Sequence, residues 1–216
     1  MKRRVAILIS GRGSNMAALI EAARAPDFPA EITVVISNKA DAAGLTKARE
    51  AGIATEIIAS KPFGKDRAAF ETALQAAIDA RGVEFICLAG FMRLFTPDFV
   101  TRWHGRMLNI HPSLLPSFPG LDPHGQALAA GVKMSGATVH FVTPETDAGP
   151  IVMQAAVGVA DDDTAETLSE RILGVEHRIY PLALRLLVED RLRIEGERCF
   201  VDGAHVPPTP FLAPGV

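Results

Sequence analysis

Two apolar patterns alternate through the first half of the chain. Residues 5–10 form a continuous apolar run, the mark of a strand covered on both faces. Residues 14–25 then place Met16, Leu19, Ile20 and Ala23 at helical spacing. The same rhythm predicts strands over 32–37, 53–59, 83–89 and 107–110. Between them it predicts helices over 41–51, capped by Asp41 and stopped by Gly52, and over 66–80, ended by Gly82. Thr96-Pro97-Asp98 opens a further short helix, with a cap followed by proline at the first helical position.

After Gly120 the pattern changes. Residues 126–130 are helical, and 137–142 and 151–159 read as longer strands joined by the polar loop 143–150. A long amphipathic helix starts at Asp163 or Thr164 and runs to 189, with Pro181 as a kink or restart. Residues 191–194 and 198–201 pair as a hairpin across Glu195-Gly196-Glu197, and 204–216, with four prolines, form an irregular arm. The predicted class is α/β: a doubly wound, mostly parallel, Rossmann-like sheet with helices on both faces. Ligands of such sheets bind beyond the carboxyl ends of the strands. Two unusual segments fall there, Gly11-Arg12-Gly13-Ser14-Asn15 and the loop that begins at Asn109.

Composition narrows the picture. With 216 residues, 48% hydrophobic and 22% charged, the chain suits one domain with a sizeable core. A net charge of −3 argues against a general nucleic-acid binder. Cys87 lies inside an apolar run, and with Cys199 it makes no CxxC pair, so neither a disulfide framework nor a cysteine metal site is expected. The six histidines lack metal-ligand spacing. The apolar start is too short for a secretory segment and no run approaches a membrane span, so a cytoplasmic enzyme of small molecules is expected.

Asn109 and His111 stand two apart on an extended segment and point the same way, stiffened by Pro112, Pro116 and Pro119. A carboxamide and an imidazole aimed at one point suit acyl chemistry; a structural histidine bonded to a carbonyl is the other reading. Asp147, between a strand end and Gly149-Pro150, is either a turn residue or the carboxylate that favours the imidazolium form. The Gly11–Asn15 turn is either a plain capped βα turn or a phosphate cradle, with Ser14 or Asn15 as cap. Met16 replaces the third glycine of a dinucleotide motif, and no P-loop Lys-Ser/Thr pair follows, so a phosphate monoester fits better. Arg12 could add a charge to it. Ser113 lacks a glycine elbow, which weakens it as a nucleophile. Glu176-His177 is either a surface pair or part of a cleft wall.

Taken together, residues 8–15, 37–42, 88–93, 109–116 and 140–150 resemble the folate-dependent formyltransferases. The Asn-x-His-Pro-Ser-Leu-Leu-Pro block is shared across that family, and Ser-Gly-x-Gly-Ser-Asn resembles its phosphoribosylglycinamide branch. The resemblance runs from about residue 4 to 208 and implies a formyltransferase domain over 1–203. A phosphate-binding half (1–110) would precede a folate and catalytic half (111–203). It implies Asn109, His111 and Asp147 as the catalytic trio, with Gly13, Ser14, Asn15 and Glu176 binding the phosphoribosylglycinamide. Arg67, Met92, Arg93, Leu94 and Phe95, with Thr143, Pro144, Glu145, Thr146 and Asp147, would form the folate pocket. The co-substrate would be 10-formyltetrahydrofolate, with no metal, and the assembly a monomer or homodimer. The length and acidity do not suit a tRNA formyltransferase, and a first strand at residue 4 leaves no room for a deformylase's regulatory domain. Asp122-Pro123-His124-Gly125 replaces a stretch richer in His and Arg in that family, so a supporting contact can differ there.

Overall fold

In the first strand, β1 (Arg3–Ile9), Val5, Ile7 and Ile9 enter one apolar cluster and Ala6 and Leu8 another. A strand buried on both faces has no need of polar alternation, which is why the sequence showed a continuous run. The computed structural model describes residues 1–205 and Ala213. The arm expected over 204–216 therefore lies, apart from Ala204, His205 and Ala213, outside the described residues.

The chain continues through α1 (Ser14–Ala23), β2 (Ala30–Ser37), α2 (Ala43–Glu50), β3 (Thr55–Ile57), α3 (Arg67–Asp79) and β4 (Phe85–Leu88). It then forms α4 (Pro97–Arg102), β5 (Met107–His111), α5 (Pro123–Ala129), β6 (Met134–Phe141) and β7 (Ile151–Gly158). Last come α6 (Ala165–Val188), β8 (Leu192–Glu195) and β9 (Arg198–Val201). The main sheet has the order β3-β2-β1-β4-β5-β6-β7. Strands β1 to β5 pair in parallel, whereas β5–β6 and β6–β7 are antiparallel. Helices α1, α2, α5 and α6 cover one face, and α3 and α4 the other.

Three expectations need correction. Asp41 caps nothing: α2 starts at Ala43 behind Ala42, without a side-chain cap. Neither Ser14 nor Asn15 caps α1, because Gly13 occupies the cap position at φ 66°. Pro181 does not restart α6, which runs as one helix of 24 residues capped by Thr164. Thr96 does cap α4 as expected, and Asp66 caps α3.

Tyr180 joins the long helix to the middle of the sheet. Its hydroxyl is wholly buried and donates between Leu88 O at 2.9 Å and Leu108 O at 3.1 Å, on β4 and β5. Burial pushes its acidity far outside the physiological range, so it stays a donor. Tyr180→Phe leaves those carbonyls without the hydroxyl and should destabilise the fold by about 1–3 kcal/mol. The check is urea unfolding, with a lower midpoint and an unchanged slope; an unchanged midpoint would remove this link from the account.

Candidate active site

Three segments converge on the last residues of β5. Asn109 and His111 share one face of that strand, as their spacing requires, and His140 near the end of β6 is the register partner of Asn109. The loop after β6 returns to the sheet through Phe141 N to Pro150 O at 2.9 Å. A Cβ on Gly149 would lie 1.8 Å from Phe141 O, so only glycine permits that return. The loop delivers Asp147, whose Oδ2 stands 3.5 Å from His111 Nδ1 and accepts Gly120 N–H at 2.8 Å.

His111 is 6% exposed, and its Nε2 donates to Phe118 O at 3.0 Å. Both ring nitrogens thus face acceptors, a carbonyl and a carboxylate, and only a ring carrying both protons fills both. His140 has the opposite surroundings. Its Nδ1 donates to Phe141 O at 2.9 Å, which leaves Nε2 to accept from Asn109 Nδ2 at 3.2 Å. Burial lowers its pKa, against the opposing pull of the Phe141 carbonyl and Asp147. The neutral ring fixes which way the Asn109 amide points and leaves its second N–H free to donate. Nothing in the chain's periodicity marked His140, which looked like one more residue of a buried strand.

The backbone around this point is strained. Phe118, Asp122 and Asp147 all have φ between 53° and 56°, the left-handed region that non-glycine residues avoid. Hydrogen bonds hold the loop in place. Thr138 Oγ1 donates to Ser113 O at 2.7 Å and accepts Leu115 N–H at 3.0 Å, while Gln154 Nε2 donates to Leu115 O at 2.9 Å. Ser113 donates its hydroxyl to Ser117 O at 2.6 Å, a structural use consistent with its weak claim as a nucleophile.

The glycine turn lies at the β1 end of the same edge. A Cβ on Gly13 would lie 2.9 Å from Gly44 Cα, so α1 and α2 approach through two glycines. With no side-chain cap, the first hydrogen bond of α1 runs from Ala17 N to Gly13 O, and the amides of the opening turn stay open. Asn15 instead donates Nδ2–H to Glu176 Oε2 at 2.8 Å, while its buried Oδ1 has no partner. Glu176, 5% exposed, is no surface residue; burial raises its pKa, partly offset by the Asn15 hydrogen bond. Arg12 is exposed beside the turn.

The remaining candidates spread along the other side of the switch point between β1 and β4. Met92 and Leu94 are 66% and 62% exposed, Phe95 is buried, and Arg93 lies 5.0 Å above the Phe70 ring with its buried Nε unpartnered. Arg67, the first residue of α3, is exposed. Thr143 donates to Glu145 O at 3.2 Å, and Pro144, Glu145 and Thr146 are exposed. Asp122 accepts Gly125 N–H to cap α5, so the departing Asp122–Gly125 stretch serves a helix start. A cleft of about 390 Å³ at the opposite end of the strands involves none of these residues. Two of its basic groups are already engaged, Lys2 with the carbonyls of Ala23 and Ala25 and Arg24 with Glu21. Among the described residues no group of three His, Cys, Asp or Glu could hold a metal ion, and no helix is long and apolar enough to cross a membrane.

The chain is similar to known proteins. The formyl transferase family model matches residues 3–184. Phosphoribosylglycinamide formyltransferase of Escherichia coli is 43% identical over 209 residues, covering 97% of this chain and 98% of that protein. The trifunctional purine biosynthetic protein adenosine-3 of Bos taurus is 52% identical over 202 residues, 93% of this chain but 20% of that longer protein. The chain thus spans about a fifth of the trifunctional relatives' length. The crystal structure of glycinamide ribonucleotide transformylase 1 from Symbiobacterium toebii superimposes with a TM-score of 0.89 at 49% identity, covering 93% and 94% of the two chains. With identity of this level running the whole length of a single-function relative, the chain belongs to the formyl transferase family, on its phosphoribosylglycinamide formyltransferase branch.

Proposed function

We propose that this protein transfers the formyl group of 10-formyltetrahydrofolate to the amine of 5'-phosphoribosylglycinamide in purine biosynthesis. The observation that carries the reading is the juxtaposition of Asn109, His111 and Asp147 at one strand end, with Asp147 3.5 Å from His111 Nδ1. The amine attacks the formyl carbon, forming a C–N bond while the carbonyl oxygen takes up negative charge. Asn109 N–H donates to that oxygen and the positive charge of protonated His111 stabilises it, and collapse breaks the bond to the folate nitrogen, which leaves with the proton that the amine gave up. Asp147 holds the His111 ring and positions a water that carries the proton from the attacking amine. His140 orients the Asn109 amide. No covalent enzyme intermediate is needed.

The open amides of Gly13, Ser14 and Asn15, at the positive end of α1, suit the ribose phosphate, and Arg12 adds charge. Glu176 and the unpartnered Oδ1 of Asn15 suit the polar sugar or glycinamide part. For the folate, the unpartnered Nε of Arg93, the apolar flanks of Met92, Leu94 and Phe95, Arg67, and the loop from Thr143 to Asp147 supply polar and apolar contacts that fit a flat heteroaromatic ligand with an acidic tail. In this reading residues 1–203 act as one domain, with the phosphate held mainly from 1–110 and catalysis supplied from 111–203. The enzyme works in the cytoplasm on small molecules, without nucleic acid or metal, as a monomer or homodimer.

His111→Ala should lower kcat by ~10²–10⁴, and Asp147→Asn by ~10², with the fold retained. The assay is folate absorbance on mixing the protein with both substrates. Near wild-type turnover in either variant sinks the mechanism, and formyl loss without phosphoribosylglycinamide would point to a deformylase. Glu176→Gln should raise KM for phosphoribosylglycinamide about tenfold. Its stability effect has a definite sign. A carboxyl with a raised folded-state pKa favours folding below its unfolded pKa and loses that contribution as pH rises through the folded value. The glutamine cannot ionise, so melting curves between about pH 4 and pH 8 should favour it increasingly as pH rises. A gap that narrows with rising pH would contradict the burial argument.

A further inference from the structure

Residues 91–96 have no regular secondary structure and lead directly into α4, a helix of only six residues. A helix that short has little stability of its own, so what holds it also places the segment before it. Phe91 and Phe95 turn inward onto a column of rings in which Phe63, Phe70, Phe91, Phe95 and Phe99 follow one another at 4.6–6.4 Å. Met92 and Leu94 are left outward. The segment is pinned at both ends. Met92 N–H donates to Ser10 Oγ at 2.8 Å, and Ser10 itself donates to the buried Asn38 side chain. At the other end Thr96 N–H donates to Glu71 Oε1 at 2.6 Å, and the Thr96 hydroxyl donates to Glu71 Oε2.

Glu71 is 6% exposed, a carboxylate committed to one partner residue. Burying it costs desolvation, repaid only because two donors meet its two oxygens. It stands one turn after Arg67 on α3, and one turn further Gln75 accepts Trp103 Nε1–H at 2.9 Å at the far end of α4. One edge of α3, through residues 71 and 75, therefore grips both ends of α4.

We propose that Glu71 is a positioning residue for the folate co-substrate. Without touching the ligand, it locks the 92–95 segment and Arg67 into one frame, so that both folate-facing elements are set before binding. The inference rests on the function proposed above and adds to it a residue outside the site.

The test compares wild type with Glu71→Ala, Glu71→Gln and Thr96→Val. In Glu71→Ala the KM for 10-formyltetrahydrofolate should rise about tenfold, while kcat and the KM for phosphoribosylglycinamide stay within about twofold. Glu71→Gln should recover most of the loss, since its amide oxygen still accepts Thr96 N–H and its amino group can donate to the hydroxyl. Thr96→Val should raise the folate KM about threefold. Equal increases in both KM values, or an unchanged folate KM, overturn the proposal. If Glu71→Ala does not fold, the other two variants decide by the same criterion. Amide hydrogen exchange over 92–96 should speed up in the variants with the 109–118 segment unchanged, and unchanged exchange over 92–96 also overturns it. Should wild type fail to turn over its substrates, the proposed function falls, and the exchange comparison still decides whether Glu71 holds the segment.

Discussion

The pairing of Asn109 with His140 across β5 and β6 is the constraint on which the site depends. At this strand the sheet changes from parallel to antiparallel pairing, which sets the last residues of β6, His140 and Phe141, beside Asn109 and Leu108. The loop after β6 leaves beside Met107, with Val142 N to Met107 O at 3.0 Å, and folds back to carry Asp147 to His111. A slip of one residue would turn Asn109 and His111 to the opposite face. Register is therefore part of the chemistry.

Holding that register has costs, which the surrounding packing offsets. Two left-handed residues, Phe118 and Asp147, face His111, each costing about 1–3 kcal/mol. The Thr138–Gln154 hydrogen bonds and the close approach at Gly149 tie the two loops to buried strands, so relaxing any one residue would disturb several partners. The same logic governs the switch point, where Ser10, Asn38 and Ser60 form a buried polar chain under the 91–96 segment. Polar groups placed in a core specify geometry only when satisfied, and here each bond closes on another fixed group.

Much of this was legible in the sequence because it followed periodicity. The buried runs marked the strands, and a spacing of two put Asn109 and His111 on one face without knowledge of their neighbours. The failures share one cause: a local rule yielded to a tertiary contact. Asn15 has the chemistry of a cap, but Glu176, 161 positions away, takes its amide, and Gly13 makes the turn instead. Asp41 lies in the turn before Ala42, one residue too early for the cap position of α2. His140 gave no signal, since its importance is a cross-strand pairing. Glu71 did leave a trace. It stands at helical spacing from Leu74 and Ile78, so a charge fell on the buried stripe of α3, and a polar residue on an apolar face calls for a partner.

The two histidines at the centre show how surroundings divide labour between identical side chains. Both are almost fully buried, and both face a backbone carbonyl with one nitrogen. The difference lies at the other nitrogen. His140 meets an amide that can only donate there, so its lone pair is used and a second proton would break the contact. His111 meets a carboxylate, which can only accept, so a second proton makes a contact where a lone pair would face repulsion. Asp147 lies 3.8 Å from His140 Nε2 as well, yet His140 has Asn109 nearer and remains the acceptor. One carboxylate between two imidazoles thus faces one ring as an acceptor and leaves the other ring to the Asn109 amide. In the transfer proposed above, the neutral ring would orient the amide and the ring beside the carboxylate would serve as the charged partner of the developing oxyanion.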